Sequence, residues 1–203
     1  MAPIPILKRN FWVFDLDGTL TVPVHDFSAI RKTLGISSAK QGILESLAAM
    51  PQEKARVLYD KLDRIEIELA RKTKPALGLF SVLSTLNQRD CQLGILTRNT
   101  QQNAWLSLQA MQVESFFEKE TVLGRENASP KPDPGGVLKL SDHWKSSPEE
   151  MVMVGDYLFD LQAGRAAGTA TIHVDRTSTF PWPEWMDLGV TTLLELSEKL
   201  EQN

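Results

Sequence analysis

The feature that most limits what this 203-residue chain can fold into is a repeated event: a short, largely apolar run that stops at a polar cluster. Phe11-Trp12-Val13-Phe14 stops at Asp15-Leu16-Asp17-Gly18-Thr19, Gln92–Leu96 stops at Thr97-Arg98-Asn99, and Met151–Val154 stops at Gly155-Asp156. Thr171–Val174 is a fourth such run, and Thr121–Leu123 a weaker fifth. Runs this short, without polar alternation, read as strands buried on both faces. Between them Leu79, Val82, Leu83 and Leu86 fall at helical spacing, as do Ala104, Leu108 and Met111, and an Ala-rich stretch runs from Asp160 to Ala167. Strands alternating with helices predict an α/β fold around a parallel sheet. Ligands of such sheets bind beyond the carboxyl ends of the strands, which is where each polar cluster falls.

The stretch from Asp26 to Lys74 breaks this rhythm. It reads as helix throughout, with Ile43, Leu44, Leu47 and Met50 on one face and Leu58, Leu62, Ile65 and Leu69 on a second stripe after Pro51. These stripes read as helix packing. The expected organisation is a catalytic core from residues 1–20 and 76–203, with a small helical insertion over residues 21–75. Phe180 to Trp185 reads as a turn-rich surface segment, and Leu193, Leu196 and Leu200 as one face of a closing helix.

Composition narrows the partners. Apolar residues make up 42% and charged residues 24% of the chain, enough apolar material for a core. A net charge of −4, with no basic stripe, argues against a nucleic-acid partner, while one or two placed cations suffice for a small anion. No window approaches the roughly 20 apolar residues of a membrane span, and residues 1–10 lack the apolar centre of a secretory signal. The single Cys91 has no partner for an internal disulfide and reads as a strand residue. These features predict a cytoplasmic protein, with no membrane or nucleic-acid partner, acting as a monomer or weak dimer.

The strand-end clusters carry the chemistry. Asp15 and Asp17, two residues apart, repel one another, and a hard cation such as Mg2+ relieves that repulsion while acting as a Lewis acid. Gly18 permits a tight turn whose N–H can approach an anion. Thr97 offers a hydroxyl to a phosphoryl oxygen. Lys131 lies in Ser129-Pro130-Lys131-Pro132-Asp133-Pro134, where three prolines restrict the loop that presents its ammonium. Asp156 and Asp160, at i, i+4 beside Gly155, both face the strand-end crevice if a helix opens near Tyr157. Each feature alone has a bland reading, as a solvated turn, a surface lysine or a helix cap. The four in this order favour metal and phosphate chemistry. His25, His143 and His173 do not cluster with Cys91 at metal-ligand spacing.

Asp15-Leu16-Asp17-Gly18-Thr19-Leu20, Ile95-Leu96-Thr97, Lys131-Pro132-Asp133 and Gly155-Asp156-Tyr157-Leu158-Phe159-Asp160 resemble the motifs of the haloacid dehalogenase-like hydrolase superfamily, across Phe11 to about Val174. The helical insertion is similar to that of its phosphoglycolate phosphatase-like and phosphoglucomutase-like branch. The resemblance implies a Rossmann-like parallel sheet core with a small all-helical cap inserted after the first strand. It also implies a Mg2+-dependent phosphatase of a small phosphorylated metabolite. Asp15 would be the nucleophile that becomes phosphorylated, and Asp17 the acid and then the base. Gly18, Thr97, Arg98 and Lys131 would hold the phosphoryl group, with Arg98 standing where relatives often carry Asn. Asp15, Asp17 (through its carbonyl) and Asp156 would hold the metal, supported by Asp160. A phosphomutase using the same intermediate, or a non-catalytic phosphate-binding module, are the alternatives; a dehalogenase is disfavoured because that branch lacks the second aspartate. Substrate choice is expected to lie in the insertion, with Thr21, His25 and Arg31 nearest the first motif.

Overall fold

In the computed structural model, residues 4–23, 26–36 and 41–202 are described. Six strands form one parallel sheet: β1 (Phe11–Phe14), β2 (Gln92–Leu96), β3 (Val122–Leu123), β4 (Met151–Gly155), β5 (Ala170–Val174) and β6 (Leu188–Val190), in the order β3-β2-β1-β4-β5-β6. Every pairing in it is parallel, with Phe14 of β1 opposite Ile95 of β2 on one side and Val154 of β4 on the other. This is a Rossmann-like α/β sheet, and its strand order reverses between β1 and β4. Connections leave such neighbouring strands toward opposite edges of the sheet, so a crevice opens beyond their carboxyl ends.

Side-chain alternation explains why the strands read as continuous apolar runs. Trp12 and Phe14 enter one core with Ile95, Val152, Val154 and Ile172, while Val13 enters a second core with Leu96, Met151 and Met153. Helices α4 (Leu79–Gln88), α5 (Gln101–Met111) and α8 (Leu193–Glu201) cover the first face through Leu83, Leu108 and Leu196. Helices α6 (Gly135–Trp144) and α7 (Leu158–Ala167) cover the second, α6 through Val137 and Leu140. The periodicities of α4, α5, α7 and α8 are those seen in the sequence. Two elements are additional. Strand β6 is only three residues long, and α6 opens on Gly135-Gly136, a weak helix start.

Among the described residues of 26–70 there is no strand. Helices α1 (Phe27–Leu34), α2 (Ile43–Ala48) and α3 (Gln52–Ala70) pack around their own apolar cluster of Ile30, Leu34, Ile36, Leu47 and Leu62. Asp26 caps α1 by accepting from the Ala29 N–H at 2.9 Å, and Gly35 closes it in the left-handed conformation. The segment leaves and rejoins the sheet side by side, where Thr21 bridges Pro75 and the Val22 N–H donates to the Lys74 carbonyl at 2.9 Å. Among the described residues no helix is long and apolar enough to cross a membrane.

One contact ties packing directly to the crevice. A Cβ at Gly164 of α7 would lie 2.7 Å from Met153 Cβ and 2.8 Å from a Thr171 methyl, so α7 sits on β4 and β5 as closely as a glycine allows. Gly164→Ala should therefore lower stability by about 1–3 kcal/mol through overpacking, although alanine is the better helix former by about 1 kcal/mol. Urea denaturation measures this; an alanine variant as stable as the parent would mean that α7 adjusts freely.

Candidate active site

Asp15 is the first residue past β1, and its N–H donates to the Val154 carbonyl at 2.8 Å, which fixes its backbone against β4. The chain then makes one loose turn over Leu16–Leu20, with Gly18 at φ +99°. A side chain at Gly18 would suffer that strain and would also overlap the Asp156 carboxylate. Gly155 plays the same part for Asp160, whose side chain occupies the space a Cβ would need. Two glycines thus allow two carboxylates to approach the backbone, Asp156 after β1 and Asp160 at the end of β4.

Three carboxylates converge there. One oxygen each of Asp15, Asp156 and Asp160 lies within 4.8 Å of the others. Lys131, only 2% exposed, places its ammonium 2.5 Å from Asp15 Oδ1 and 2.6 Å from Asp160 Oδ1. Asp160 Oδ2 also accepts from the Tyr157 N–H at 3.0 Å, which holds it at the start of α7. Thr19 Oγ1 donates to Asp156 Oδ1 at 3.3 Å. Thr97 is buried at the end of β2, where its hydroxyl oxygen accepts from the Asn99 N–H at 3.1 Å. Asp17 is half-buried in the turn. Its carboxylate is outside the group of three, but its charge is felt by both Asp15 and Glu66.

The charges are unbalanced. Burial lifts the Asp15 carboxyl well above the usual range; Lys131 opposes this, while Asp160, Asp156 and Asp17 add to it. Burial, and then Asp160, push the Asp156 carboxyl up to about 7. Burial alone would lower the Lys131 ammonium, yet Asp15 and Asp160 hold it above its ordinary value, so it stays charged. One cation among three close carboxylates leaves a site suited to a further hard cation, with oxygen donors already in place.

Several residues sit differently from expectation. Thr21 is fully buried and accepts from the Gly18 N–H at 3.2 Å. It therefore braces the turn instead of reaching toward a substrate, and Gly18's N–H is engaged in the same bond. Arg31 donates to the Gln41 carbonyl at 2.5 Å within the helical segment. His25 lies outside the described residues. Arg98 directs its guanidinium at Glu45 (2.5 Å) and at the Lys131 carbonyl (3.3 Å), and lies 5.1 Å over the Phe159 ring.

Other residues around the crevice carried no sequence signal. His173 is buried with Nε2 3.3 Å from the Asp156 carbonyl. A carbonyl only accepts, so Nε2 carries the proton, and burial lowers the imidazole pKa, keeping it neutral. Arg176 donates to the carbonyls of Gly18 (2.7 Å) and Thr21 (2.9 Å), clamping the turn from outside. Arg125, in the loop after β3, donates to Glu66 of α3 at 2.9 and 3.2 Å and also pairs with Asp63. Only proximity in the fold reveals such pairs.

A sequence profile of the haloacid dehalogenase-like hydrolases matches residues 12–174. The chain is 31% identical to a pyrophosphatase of Bacillus cereus, over 84% of this chain and 85% of that one. It is 28% identical to a phosphoglycolate phosphatase of Aquifex aeolicus, over 78% and 81%. The crystal structure of a haloacid dehalogenase-like hydrolase from Bacteroides fragilis superposes with a TM-score of 0.77 at 20% identity, covering 93% of this chain and 100% of that one, which is a likeness of fold.

Glu66 allows a test of this electrostatic picture. Burial raises its carboxyl from 4.5 to about 7 against the pull of Arg125, with Asp63 and Asp17 adding repulsion. A carboxyl that binds its proton more tightly when folded stabilises the fold below its unfolded pKa, and that stabilisation is lost as pH rises through the folded value. The unfolding free energy should therefore fall between pH 4.5 and 7 by less in Glu66→Gln than in the parent. Urea titrations at the two pH values decide it, and an equal or steeper fall in the variant contradicts this reading.

Proposed function

This chain belongs to the haloacid dehalogenase-like hydrolase family, and from that premise we propose that it is a Mg2+-dependent phosphatase acting on a small phosphorylated metabolite through an aspartyl-phosphate on Asp15. The observation that carries this reading is the buried Asp15 carboxylate at the β1/β4 switch point, held 2.5 Å from the Lys131 ammonium and beside Asp156 and Asp160. The names of the two phosphatase relatives support the reaction class.

The chemistry follows from the residues. An Asp15 oxygen attacks phosphorus while the bond to the leaving oxygen breaks, and Asp17 gives that oxygen a proton. Asp17 then takes a proton from water, whose oxygen displaces Asp15 from phosphorus and frees inorganic phosphate. Transfer through a carboxylate divides one difficult displacement into two. Lys131 favours the ionised Asp15 that attack requires, and with the Thr97 hydroxyl it meets charge on the phosphoryl oxygens. Asp15, Asp156 and the Asp17 carbonyl would hold the cation, with Asp160 in support; when bound, Mg2+ offsets carboxylate repulsion and stabilises charge on the phosphoryl group. Residues 21–75 act as a cap, because Glu45 and Glu66 reach from it to Arg98 and Arg125 beside the crevice.

Two outcomes test the proposal. Asp15→Asn should retain the far-ultraviolet spectrum and the fold while losing turnover by at least about a thousandfold; near-parent turnover would exclude Asp15 as nucleophile. Phosphate release from p-nitrophenyl phosphate should cease in EDTA and return with Mg2+, and Mg2+ should raise the melting temperature more at pH 8 than at pH 5, where protons compete for the raised carboxyls. Full activity in chelator, or a thermal shift independent of pH, would contradict the metal assignment.

A further inference from the structure

We propose that Arg98 selects the substrate by binding a second anionic group, a carboxylate, on the part of the ester that leaves. The inference rests on the phosphatase reading and names its substrate class. Arg98 directly follows Thr97, at the end of β2, so its backbone belongs to the rim of the crevice. Lys131 lies between it and the nucleophile: the Lys131 ammonium takes Asp15, and the Lys131 carbonyl takes Arg98 Nη1 at 3.3 Å. The guanidinium is thereby held beside the site that receives the transferred phosphoryl group, and not at the nucleophile itself.

The group is arranged to receive an anion. Its Cζ lies 5.1 Å from the centre of the Phe159 ring and one nitrogen is committed to the Lys131 carbonyl, which leaves the Nη2 edge for a carboxylate. A guanidinium held in one plane matches the two oxygens of a carboxylate or phosphate better than a free lysine would. In this structure Glu45 Oε1 occupies that edge at 2.5 Å, and a Cβ at Gly42 would approach Nη2 to 3.2 Å, so the backbone before α2 closes over the same spot.

Glu45 is a weak occupant. Its side chain is 42% exposed, and ion pairs of that kind contribute little. Among the described cations around the crevice that pair with carboxylates, Lys131 faces Asp15 and Asp160, Arg125 faces Asp63 and Glu66, and Arg98 faces Glu45. Arg98 is therefore the cation whose counter-ion a ligand exchanges at least cost. Glu45 comes from the helical segment and Arg98 from the sheet, and the exposed Glu45 side chain can turn aside to admit an ester while Arg125 stays paired with Glu66. A carboxylate carried in by the ester then takes the place of Glu45. Selection on this account begins at the sheet edge, in a residue next to the phosphoryl-binding Thr97.

The account gives two substitutions opposite effects. Phosphate release would be measured with Mg2+ for two matched pairs, 2-phosphoglycolate against 2-hydroxyethyl phosphate and 3-phosphoglycerate against glycerol 3-phosphate. The parent enzyme should prefer the carboxylate-bearing member of at least one pair by kcat/KM. Arg98→Gln should reduce that preference about tenfold to a hundredfold, Arg98→Lys should fall between the two, and Glu45→Gln should increase it by removing the competitor. No preference in the parent, a ratio unmoved by Arg98→Gln, or a fall in the ratio in Glu45→Gln would overturn the inference. Phosphate release from p-nitrophenyl phosphate in the same preparation separates this failure from failure of the phosphatase reading, which would abolish release from every ester and remove the inference with it.

Discussion

A single buried ammonium joins the two halves of this site. Lys131 reaches Asp15, which follows β1, and Asp160, which opens α7 after β4, with both oxygens within 2.6 Å of Nζ. Each of these charges buried alone would cost several kcal/mol. Together they are tolerated because the lysine meets two carboxylates, and Asp160 also accepts from the Tyr157 N–H. Removing the lysine would leave two carboxylates and their neighbour Asp156 in mutual repulsion. The position of Lys131 therefore governs where Asp15 points, how strongly it holds a proton and how α7 begins.

The fold supplies what this arrangement needs. The reversal of strand order between parallel β1 and β4 brings Asp15 and Asp156 side by side, and Gly18 and Gly155 clear the space for Asp156 and Asp160. Gly164 allows α7 to press on β4 and β5 and so carry Asp160 inward. On the other side, Arg176 and Thr21 brace the turn that presents Asp17. The crevice is acidic within and cationic at its rim, where Arg98 and Arg125 receive carboxylates from the helical segment. A phosphate ester is drawn to such a site once a cation offsets the inner charge.

Much of this was legible in the sequence, for a reason that can be stated element by element. Strands β1, β2, β4 and β5 are buried on both faces, so they appear as apolar runs, and their ends appear as polar clusters. Asp15, Asp156 and Asp160 were readable beside such ends and Lys131 in its proline-restricted loop, and the structure brings them together. Three-residue β6 and the Gly-Gly start of α6 lack the length or the propensity to announce themselves. The burial of Thr21 was hidden because the bond between its hydroxyl and the Gly18 N–H depends on how the turn closes. Glu66, Arg125 and Glu45 were silent because their meaning lies in partners more than fifty residues away.

The central claim is that Asp15 carries the phosphoryl group during turnover, and one measurement addresses it most directly. Enzyme mixed with excess p-nitrophenyl phosphate and Mg2+, quenched in acid within one turnover and digested, would be analysed by mass spectrometry. The account predicts one added phosphoryl group, labile to hydroxylamine, on the peptide containing Asp15 and confined to that residue. Product formed in the same quench with no phosphorylated peptide, or with the label on any other residue, would contradict it.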